Sequence, residues 1–392
     1  MHIVIDDARV HEIMDHLLSA GAQVRSVGGA VRDLVAGLPF KDIDLTTDMH
    51  PELVIDLFEE AGYDVIPTGL KHGTVTVVVN GEPFEVTTLR ADLSTDGRHA
   101  EVGFVTDFKI DAERRDFTIN AMSADRAGTV YDYFGGVEDL SNGRVRFVGN
   151  AEQRVQEDYL RILRYFRFRG RFGVTDDPNS LLAIKKHAVG LENISVERVW
   201  REISQILALQ RSASQLVSMW ALGVSQVVGL PFTPSFKDQF ARLRQETNDS
   251  AILLGAIVGD ADAAEQMGYR WRLSTKERRQ AVTSARVIQD GSPDPHYWRV
   301  QQYDGFDVAT LKAVLSATGR KEAADALFVD VPEFPLRGRD LIGVGIPAGT
   351  TLGTALSELE TAWKNSQFML DANELLEMAR LQFVNPETTH GL

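Results

Sequence analysis

Up to about residue 148, short apolar runs alternate with turn residues, and this pattern predicts a mixed α/β domain. The apolar run around Val24 and Val27 favours a strand, and Gly28 and Gly29 favour a tight turn. Residues 30–35 then favour a helix that opens at this turn. Because a helix N-terminus presents unpaired backbone N–H groups, a phosphate can bind there.

A β-hairpin and two further extended segments complete the strands predicted for this part of the chain. Thr74 to Val79 and Pro83 to Leu89 are β-rich runs joined through Asn80-Gly81, a dipeptide that favours a type I′ turn. Val130 to Phe134 and Arg144 to Val148 predict a last pair of extended pieces around a turn-rich segment.

Beyond about residue 148, long helical periodicities replace the short strands, and this change marks the main predicted boundary. The predicted helices are Ala151 to Phe172, Pro178 to His187, Val196 to Leu209 and Ser212 to Leu222, followed by a helical segment from Ser235 to about Ile288. Beyond Pro332, glycine-rich turns and two amphipathic helices predict a terminal unit. We therefore expect four parts: a head of residues 1–148, a neck of 149–234, a body of 235–331 and a tail of 332–392.

Length and composition narrow the class of protein. The 392 residues exceed the usual size of one domain, and 44% hydrophobic content is ample for several cores. No apolar run approaches the roughly eighteen residues that span a bilayer, and the N-terminus lacks the pattern of a signal peptide. The absence of cysteine excludes disulfides and thiolate metal sites, which fits a reducing compartment. We therefore expect a soluble, cytoplasmic protein.

The net charge of −15 argues at first against a nucleic-acid partner, because binding to phosphates normally needs a basic surface. The charge is unevenly distributed, however. Basic residues concentrate between Arg144 and Arg171, whereas acidic residues crowd several segments after residue 260. The distribution therefore predicts localised, salt-sensitive contact with RNA.

Paired carboxylates follow the glycine turn, in Asp42-Ile43-Asp44. In a strand, the period of two sends both carboxylates to one face while Ile43 points to the other. Oxygen ligands on one face favour Mg²⁺. Glu85, on the second strand of the hairpin, is the candidate for a third carboxylate on the same sheet surface. For each of these acidic motifs alone, the alternative is a solvated surface charge.

Two arginines precede a carboxylate in Arg114-Arg115-Asp116, just before a run that is typical of a core. Guanidinium groups suit the β- and γ-phosphates of a nucleotide, and Asp116 is a candidate acceptor for a ribose hydroxyl. The alternative for this motif alone is a surface charge cluster beside a core helix.

The predicted helix 151–172 is amphipathic, and its polar side carries Asp158, Arg161 and Arg164. Asp158 and Arg161 are neighbours at positions i and i+3. A carboxylate acceptor beside a planar donor can pair with the Watson–Crick edge of a base, so that the protein itself would select the nucleotide. The alternative is an ion pair on a solvated helix. Arg167 lies half a turn from Asp158 and is a candidate for contact with RNA or phosphate.

Four sequence blocks, taken in order, resemble those of the class II tRNA nucleotidyltransferase and bacterial poly(A) polymerase family. They are Gly-Gly-x-Val-Arg-Asp with Asp-x-Asp, Arg-Arg-Asp-Phe-Thr-Ile-Asn-Ala-Met, Tyr-Asp-Tyr-Phe-Gly-Gly with Asp-Leu, and Glu-Asp-x-x-Arg-x-x-Arg. The resemblance is specific over residues 20–172 and continues through Ile194 to Trp200. It implies an α/β, polymerase-beta-like nucleotidyltransferase head followed by all-α neck, body and tail domains.

The resemblance also implies roles for single residues. Asp42 and Asp44 would bind Mg²⁺ and, with Glu85, form the predicted catalytic set. The predicted nucleotide-binding set comprises Gly28, Gly29, Arg32, Arg115, Asp116, Asn120, Asp158, Arg161, Arg164 and Arg167. Within this set, Gly29, Arg32 and Arg115 would hold the triphosphate, and Asp116 would contact the ribose. Asp158 and Arg161 would recognise the base of CTP or ATP. Arg164 and Arg167 would support the pocket.

The stretch Thr68 to Thr76 resembles the CCA-adding branch of the family rather than the poly(A) polymerase branch. It implies template-independent addition of C, C and A to the 3′ end of tRNA from CTP and ATP, with release of pyrophosphate by a two-metal mechanism. The polar segment Asp92 to His99 predicts a mobile loop, which would help the switch from CTP to ATP. The tail after Pro332 would contact RNA.

Three alternatives remain open from the sequence. The first is a poly(A) polymerase or an enzyme that adds only CC or only A. The second is a non-enzymatic RNA-binding protein with the same scaffold. A phosphohydrolase site in the C-terminal half is the third, and it is disfavoured because His187, His296 and His390 are scattered without a His-Asp doublet.

Overall fold

The computed structural model describes residues 1–40, 42–95 and 100–384. These residues divide into two compact units. The chain alternates between the two units in short segments between residues 242 and 273. The first unit contains Met1–Ala241, Asn248–Ser250 and Tyr269–Leu273, and the second contains Arg242–Thr247, Ala251–Gly268 and the chain from Ser274 onward. The four-part division at residues 148, 234 and 331 is finer than these units and stays a prediction.

Strands occur only in the first unit among the described residues. They are β1 Val24–Val27, β2 Asp44–Thr47, β3 Asp64–Gly69, β4 Thr74–Val79, β5 Glu82–Thr88, β6 Arg90–Thr95, β7 Ala100–Phe104, β8 Ser123–Ala124 and β9 Val130–Tyr131. Seven of them form a mixed sheet in the order β3-β4-β5-β2-β1-β8-β9, and β6 pairs with β7.

Helices account for most of the remaining described chain. Those before residue 235 are α1 Ala8–Ser19, α2 Gly29–Val35, α3 Pro51–Glu60, α4 Phe108–Glu113, α5 Gly136–Ser141, α6 Ala151–Glu157, α7 Leu160–Phe172, α8 Pro178–His187, α9 Val196–Leu207, α10 Ser212–Ala221 and α11 Val224–Val228. Those after it are α12 Lys237–Glu246, α13 Ser250–Val258, α14 Ala261–Arg270, α15 Thr275–Asp290, α16 Pro295–Tyr303, α17 Val308–Ala317, α18 Lys321–Asp325, α19 Gly338–Gly343, α20 Thr350–Asn365 and α21 Ala372–Ala379. In the part of the chain that the structure describes, no helix combines the length and apolarity needed to cross a bilayer.

The seven-stranded sheet has one apolar face and one polar face, because side chains alternate along each strand. On the apolar face, the sheet packs with α1 and α3 into a buried core. Strand β2 runs parallel to β5 with Leu45 opposite Val86, and both of these side chains belong to that core. Asp44 and Glu85 each come one residue earlier, so both carboxylates belong to the polar face.

The glycine turn and the hairpin are confirmed. Gly28 has φ 68°, which a residue with a side chain rarely adopts, and it directly precedes α2. Asn80 and Gly81 have φ 53° and 82° between β4 and β5, as a type I′ turn requires. The two amphipathic helices predicted after Pro332 are confirmed as α20 and α21, which share one apolar core.

The predicted strand Arg144 to Val148 and the predicted start of the mobile loop are both wrong. Arg144 to Val148 makes only isolated bridges, because Arg144 and Arg146 bind the buried Asp139 at 2.6 and 2.9 Å and hold the segment through side chains. The predicted mobile loop begins too early, because Asp92 to Thr95 belong to β6 and pair with β7. Residues 96–99 lie outside the described residues.

The predicted helix 151–172 is broken between α6 and α7. Asp158 has an extended backbone, with φ −153° and ψ 104°, and its Oδ1 accepts a hydrogen bond of 3.1 Å from the backbone N–H of Leu160. An aspartate that satisfies a free N–H in this way starts a helix better than it continues one. A tertiary contact also stabilises the break, because the ring of the next residue, Tyr159, packs against Gly190.

We predict that Gly190→Ala destabilises the protein, because a Cβ atom there would lie 2.2 Å from the Tyr159 ring. The free energy of unfolding, measured by urea denaturation with circular dichroism, should fall by about 1–3 kcal/mol. Gly69→Ala is the control, since the nearest atom to its Cβ would be at an ordinary 3.4 Å, and its effect should stay within about 0.5 kcal/mol. Equal stability of the two variants would contradict the tight packing of Tyr159.

Candidate active site

An arginine-rich cavity of about 480 Å³ lies in the first unit and is called the arginine cavity below. Its lining comprises Gly28, Gly29, Arg32, Asp44, Arg114, Arg115, Asp116, Asn120, Asp158, Leu160, Arg161, Arg164, Phe168 and Arg198. Six arginines face three aspartates, so the lining carries an excess of positive charge that suits a polyanion. The cavity brings together every predicted nucleotide-binding residue except Arg167.

A second cavity, the acidic groove, has a volume of about 380 Å³ and opens beside the first. The three predicted catalytic carboxylates, Asp42, Asp44 and Glu85, all line it. Asp44 also lines the arginine cavity, so one carboxylate belongs to both. Two substrates held in the two cavities would therefore meet at Asp44.

The acidic pair differs in detail from the prediction. Strand β2 begins at Asp44, so Asp42 precedes the strand instead of lying within it. The alternation is nevertheless present, because Ile43 is buried while both aspartates are exposed. Within the described ranges, no three His, Asp or Glu side chains are close enough together to hold a metal ion. Glu85 therefore shares the groove with the aspartates without completing a three-ligand cluster.

The electrostatics at Asp44 suit a cation. Although Asp44 is exposed as a residue, nearby protein atoms reduce the hydration of its carboxyl group and raise its pKa; Arg115 opposes this rise, and the like charge of Asp42 adds to it. A cation between the two carboxylates would relieve the repulsion between them. Mg²⁺ commonly binds one or two protein carboxylates and completes its shell with phosphate oxygens and water. The donor set of Asp42 and Asp44 thus fits Mg²⁺.

A continuous series of polar contacts connects several residues that line the arginine cavity with others behind them. Arg171 contacts Asp33 at 3.0 Å, and Asp33 accepts from Arg32 at 2.8 Å. The other end of the Arg32 guanidinium donates to Asn120 Oδ1 at 2.7 Å, and Asn120 Nδ2 donates to Asp116 at 2.9 Å. This series of contacts joins α2 to the segment after α4. It reaches α7 at both ends, through Arg171 at one end and through Arg164, which binds Asp116, at the other.

Asp116 is the most heavily engaged carboxylate of the cavity. Its Oδ1 accepts from Asn120 and from the backbone N–H of Phe117, and its Oδ2 accepts from Arg164 Nε at 2.7 Å and Nη2 at 2.6 Å. These contacts use the roughly four lone-pair positions of a carboxylate. The predicted contact with a ribose hydroxyl would therefore have to replace one of them.

Burial alone would raise the pKa of Asp116, but the charge of Arg164 and the hydrogen bonds from Asn120 and Arg164 outweigh it and lower that pKa. The same burial would lower the pKa of Arg164, and Asp116 reverses that effect and raises it. Both side chains are thus held in their charged forms.

The alternative considered for Asp158 and Arg161, an ion pair between them on one helix face, does not occur, because Asp158 lies in the break between α6 and α7. Asp158 Oδ2 accepts from Arg198 at 2.8 Å instead. Arg161 donates to Glu157 at 2.6 Å, and to backbone carbonyl groups of Arg154 and Arg114. Both residues still line the arginine cavity, each held by another partner.

Three other residues matter to this site. Arg167 lies outside the cavity lining and binds the buried Glu202 at 2.7 Å. Arg198 and Phe168 line the cavity although neither was predicted as a site residue. Arg198 could have been predicted, because it lies in the segment Ile194 to Trp200, which resembles the family. Phe168 could not, because its position in the sequence is that of an ordinary core residue.

Comparison with known proteins agrees with this geometry. A family model described as the Poly A polymerase head domain matches residues 24–146, and one described as a probable RNA and SrmB-binding site of polymerase A matches residues 173–234. The mitochondrial CCA tRNA nucleotidyltransferase 1 of Danio rerio is 39% identical over 372 residues, which cover 90% of this chain and 86% of the relative. The chain belongs to the CCA tRNA nucleotidyltransferase family. The resemblance found in the four sequence blocks is thereby confirmed.

Other members of the CCA tRNA nucleotidyltransferase family extend the comparison. The CCA-adding enzyme of Leuconostoc citreum is 39% identical over 386 residues, which cover 94% of each chain. The crystal structure of the Bacillus stearothermophilus CCA-adding enzyme in complex with CTP superposes with a TM-score of 0.78 at 28% identity, covering 97% of this chain and 98% of that one. The predicted fold class, an α/β head followed by helical parts, is confirmed by this likeness.

We predict that Asp116→Asn destabilises the protein, because it removes the nearer counter-charge of Arg164 and leaves only Glu202, at 3.9 Å, as an ion-pair partner. The free energy of unfolding at pH 7 should fall by about 1.5–3 kcal/mol, the usual cost of losing a charged hydrogen bond. Because the pKa of Asp116 is lowered in the folded protein, its contribution is complete above pH 4 or so and is lost as the pH falls further. The difference between parent and variant, measured by urea denaturation, should therefore shrink in acid.

Asp15→Asn is the matched control for this substitution. Asp15 also pairs with an arginine, Arg126, at 2.9 Å, but its side chain is 55% exposed. Its loss should cost less than about 1 kcal/mol. Equal costs for the two substitutions would show that burial of the Asp116 pair has no special weight.

Proposed function

We propose that this protein adds C, C and A to the 3′ end of tRNA, using CTP and ATP and releasing pyrophosphate. The observation that carries the proposal is the position of Asp44, which lines both the arginine cavity and the acidic groove. A polyphosphate suits the first cavity and a hydroxyl group suits the second, so the two reacting groups would meet at one carboxylate. The names of the relatives and the CTP complex of a 28% identical structure support the choice of substrates.

In the proposed reaction, the terminal 3′-hydroxyl of the tRNA attacks the α-phosphorus of the bound nucleotide in line with the leaving group. A new bond forms between the 3′-oxygen and phosphorus, the bond to the bridging oxygen breaks, and pyrophosphate leaves while the hydroxyl loses its proton. Arg32 and Arg115, with the backbone at Gly28 and Gly29, would hold the triphosphate, because all four line the cavity and the two arginines lie beside the two glycines.

Asp42 and Asp44 would hold Mg²⁺, with Glu85 beside them in the groove. When bound, this ion acidifies the attacking hydroxyl and neutralises charge on the phosphates. Asp44 lines both cavities, so a hydroxyl group bound in the acidic groove would lie next to the arginine cavity. A second metal ion stays a prediction, as does the expected cytoplasmic location.

Selection of the base would be made by Asp158 and Arg161. Arg198 holds Asp158 by one oxygen, and Glu157 holds Arg161 by one end of its guanidinium group. Each side chain is thus fixed in orientation at the cavity wall, as a group that discriminates between bases must be. The proposed part of residues 92–99 in switching between nucleotides depends partly on residues that the structure leaves undescribed.

The RNA partner needs local positive charge on an acidic protein. Residues 149–234 carry more basic than acidic side chains, although the whole chain has a net charge of −15. The family model of a probable RNA-binding site matches residues 173–234, which overlap this region. We therefore propose that the tRNA contacts the neck, and that the tail after Pro332 adds further contacts.

We predict that the purified protein extends tRNA lacking its 3′ end by C, C and A when CTP and ATP are both supplied. Products would be resolved on a sequencing gel and identified by nuclease digestion. Long tracts of A would favour a poly(A) polymerase, whereas incorporation of only CC or only A would favour a partial enzyme. Asp42→Ala should lower the rate at least 1,000-fold, roughly the scale of losing one essential electrostatic group.

Asp64→Ala is the control for Asp42→Ala, since Asp64 is an exposed aspartate at the start of β3 in the same sheet. It should keep the parent rate. Undiminished incorporation by the Asp42 variant would contradict its metal-binding role, and addition of EDTA should abolish incorporation by the parent.

Asp158→Ala should impair choice between nucleotides more than it impairs chemistry. Removing one hydrogen-bonding partner of a base costs about 1–3 kcal/mol of discrimination, so misincorporation of UTP or GTP should rise about tenfold or more. The measurement is the ratio of kcat/KM values for correct and incorrect nucleotides. An unchanged ratio would remove Asp158 from base selection.

A further inference from the structure

We propose that Phe168 is a positioning residue that holds the nucleotide-binding arginines in place, an inference that rests on the proposed function. Phe168 lies on α7 and lines the arginine cavity, yet its side chain is almost completely buried. It offers a nucleotide little surface to touch. Its action on a ligand would therefore pass through the arginines around it.

Three guanidinium groups lie near the one ring of Phe168. The central carbons of Arg167, Arg32 and Arg164 are 4.4, 5.1 and 5.5 Å from the ring centroid. All three distances fall within the roughly 6 Å over which a cation is attracted to the face of an aromatic ring. Arg32 comes from α2 and the other two from α7, so the ring joins cations of two elements.

Arg32 is held by a pair of rings. Its guanidinium carbon is also 4.9 Å from the centroid of Phe172, which lies one helical turn beyond Phe168. Around its edge, the guanidinium contacts Asp33 and Asn120. The two rings lie close to the guanidinium carbon and the polar groups bind its N–H groups, so both kinds of contact restrict its orientation.

The Phe168 ring is itself fixed by the core. It packs against Phe117 with centroids 5.4 Å apart and planes at 67°, and Phe117 packs in turn against Phe147 at 4.9 Å. Phe117 and Phe147 are both fully buried. A ring seated on such packing moves little, because buried aromatic side chains interlock with their neighbours.

The Phe168 ring stabilises the converging guanidinium groups in a way that carboxylate partners cannot. Like charges that converge on one cavity repel one another, and each carboxylate that neutralises a guanidinium group also occupies its N–H donors. An aromatic face attracts a cation without using any N–H group. The donors of Arg32 and Arg164 thus stay directed towards their polar partners and the cavity. Since Arg32 is assigned to the phosphates, which CTP and ATP share, loss of the ring should weaken both nucleotides alike.

The test is Phe168→Leu in the full-length protein, which keeps apolar volume but removes the aromatic face. Dissociation constants for CTP and for ATP, measured by isothermal titration calorimetry, should each rise about tenfold, as expected for the loss of one or two desolvated cation–ring contacts. Phe168→Tyr keeps the ring and should stay within about twofold of the parent. Phe168→Met is a second variant without a ring and should behave like the leucine variant.

Phe166→Leu is the matched control. Phe166 is a buried phenylalanine of the same helix that contacts the Tyr165 ring, and no arginine of the described residues lies over its face. It should lower the melting temperature about as much as Phe168→Leu while leaving both dissociation constants within twofold of the parent. Equal weakening of nucleotide binding by Phe166→Leu and Phe168→Leu would overturn the positioning role. A parent that binds neither CTP nor ATP would instead overturn the proposed function.

Discussion

The ion pair between Arg164 and Asp116 is the contact on which the rest of the arginine cavity depends. Asp116 is buried and Arg164 is partly buried, so each would be costly to leave unpaired, and each stabilises the charged form of the other. Asp116 then orients Asn120, and Asn120 orients Arg32 through its carbonyl oxygen. The directions of the Asn120 amide and, through it, of one end of the Arg32 guanidinium group therefore depend on where this buried carboxylate lies.

A cavity with an excess of arginines is less stable than an apolar core of the same size would be. The structure limits this cost in two ways. Asp33, Asp116 and Glu202 neutralise individual guanidinium groups, and Phe168 contacts three of them through its ring. The uncompensated charge remains for a ligand. Guanidinium groups suit this arrangement because they stay charged when buried and carry several donors in one plane.

Features with a local physical cause could be predicted from the sequence. The turn at Gly28 and the hairpin at Asn80-Gly81 need positive φ angles that few residues accept, and Asp-x-Asp follows the two-residue period of extended chain. The partners of Asp158 and Arg164 could not be predicted in this way, whereas Arg161 binds Glu157, a neighbour at helical spacing. Asp158 binds Arg198, forty residues later, and Arg164 binds Asp116, forty-eight residues earlier. Helical spacing suggested a nearer partner for Asp158, and tertiary packing determined otherwise.

The two cavities that meet at Asp44 are opposite in charge, and this contrast sets the direction of the proposed reaction. The arginine cavity attracts the triphosphate, whereas the acidic groove, with five carboxylates and one arginine, repels it. A hydroxyl group carries no charge and can donate to a carboxylate, so the groove accepts the end of an RNA chain better than its phosphates. In the proposed reaction, a nucleotide would therefore bind with its phosphates on the arginine side and its α-phosphorus towards Asp44. A protein that is acidic overall can act on two polyanions in this way, because the positive charge is concentrated where phosphate must bind and excluded where the hydroxyl must react.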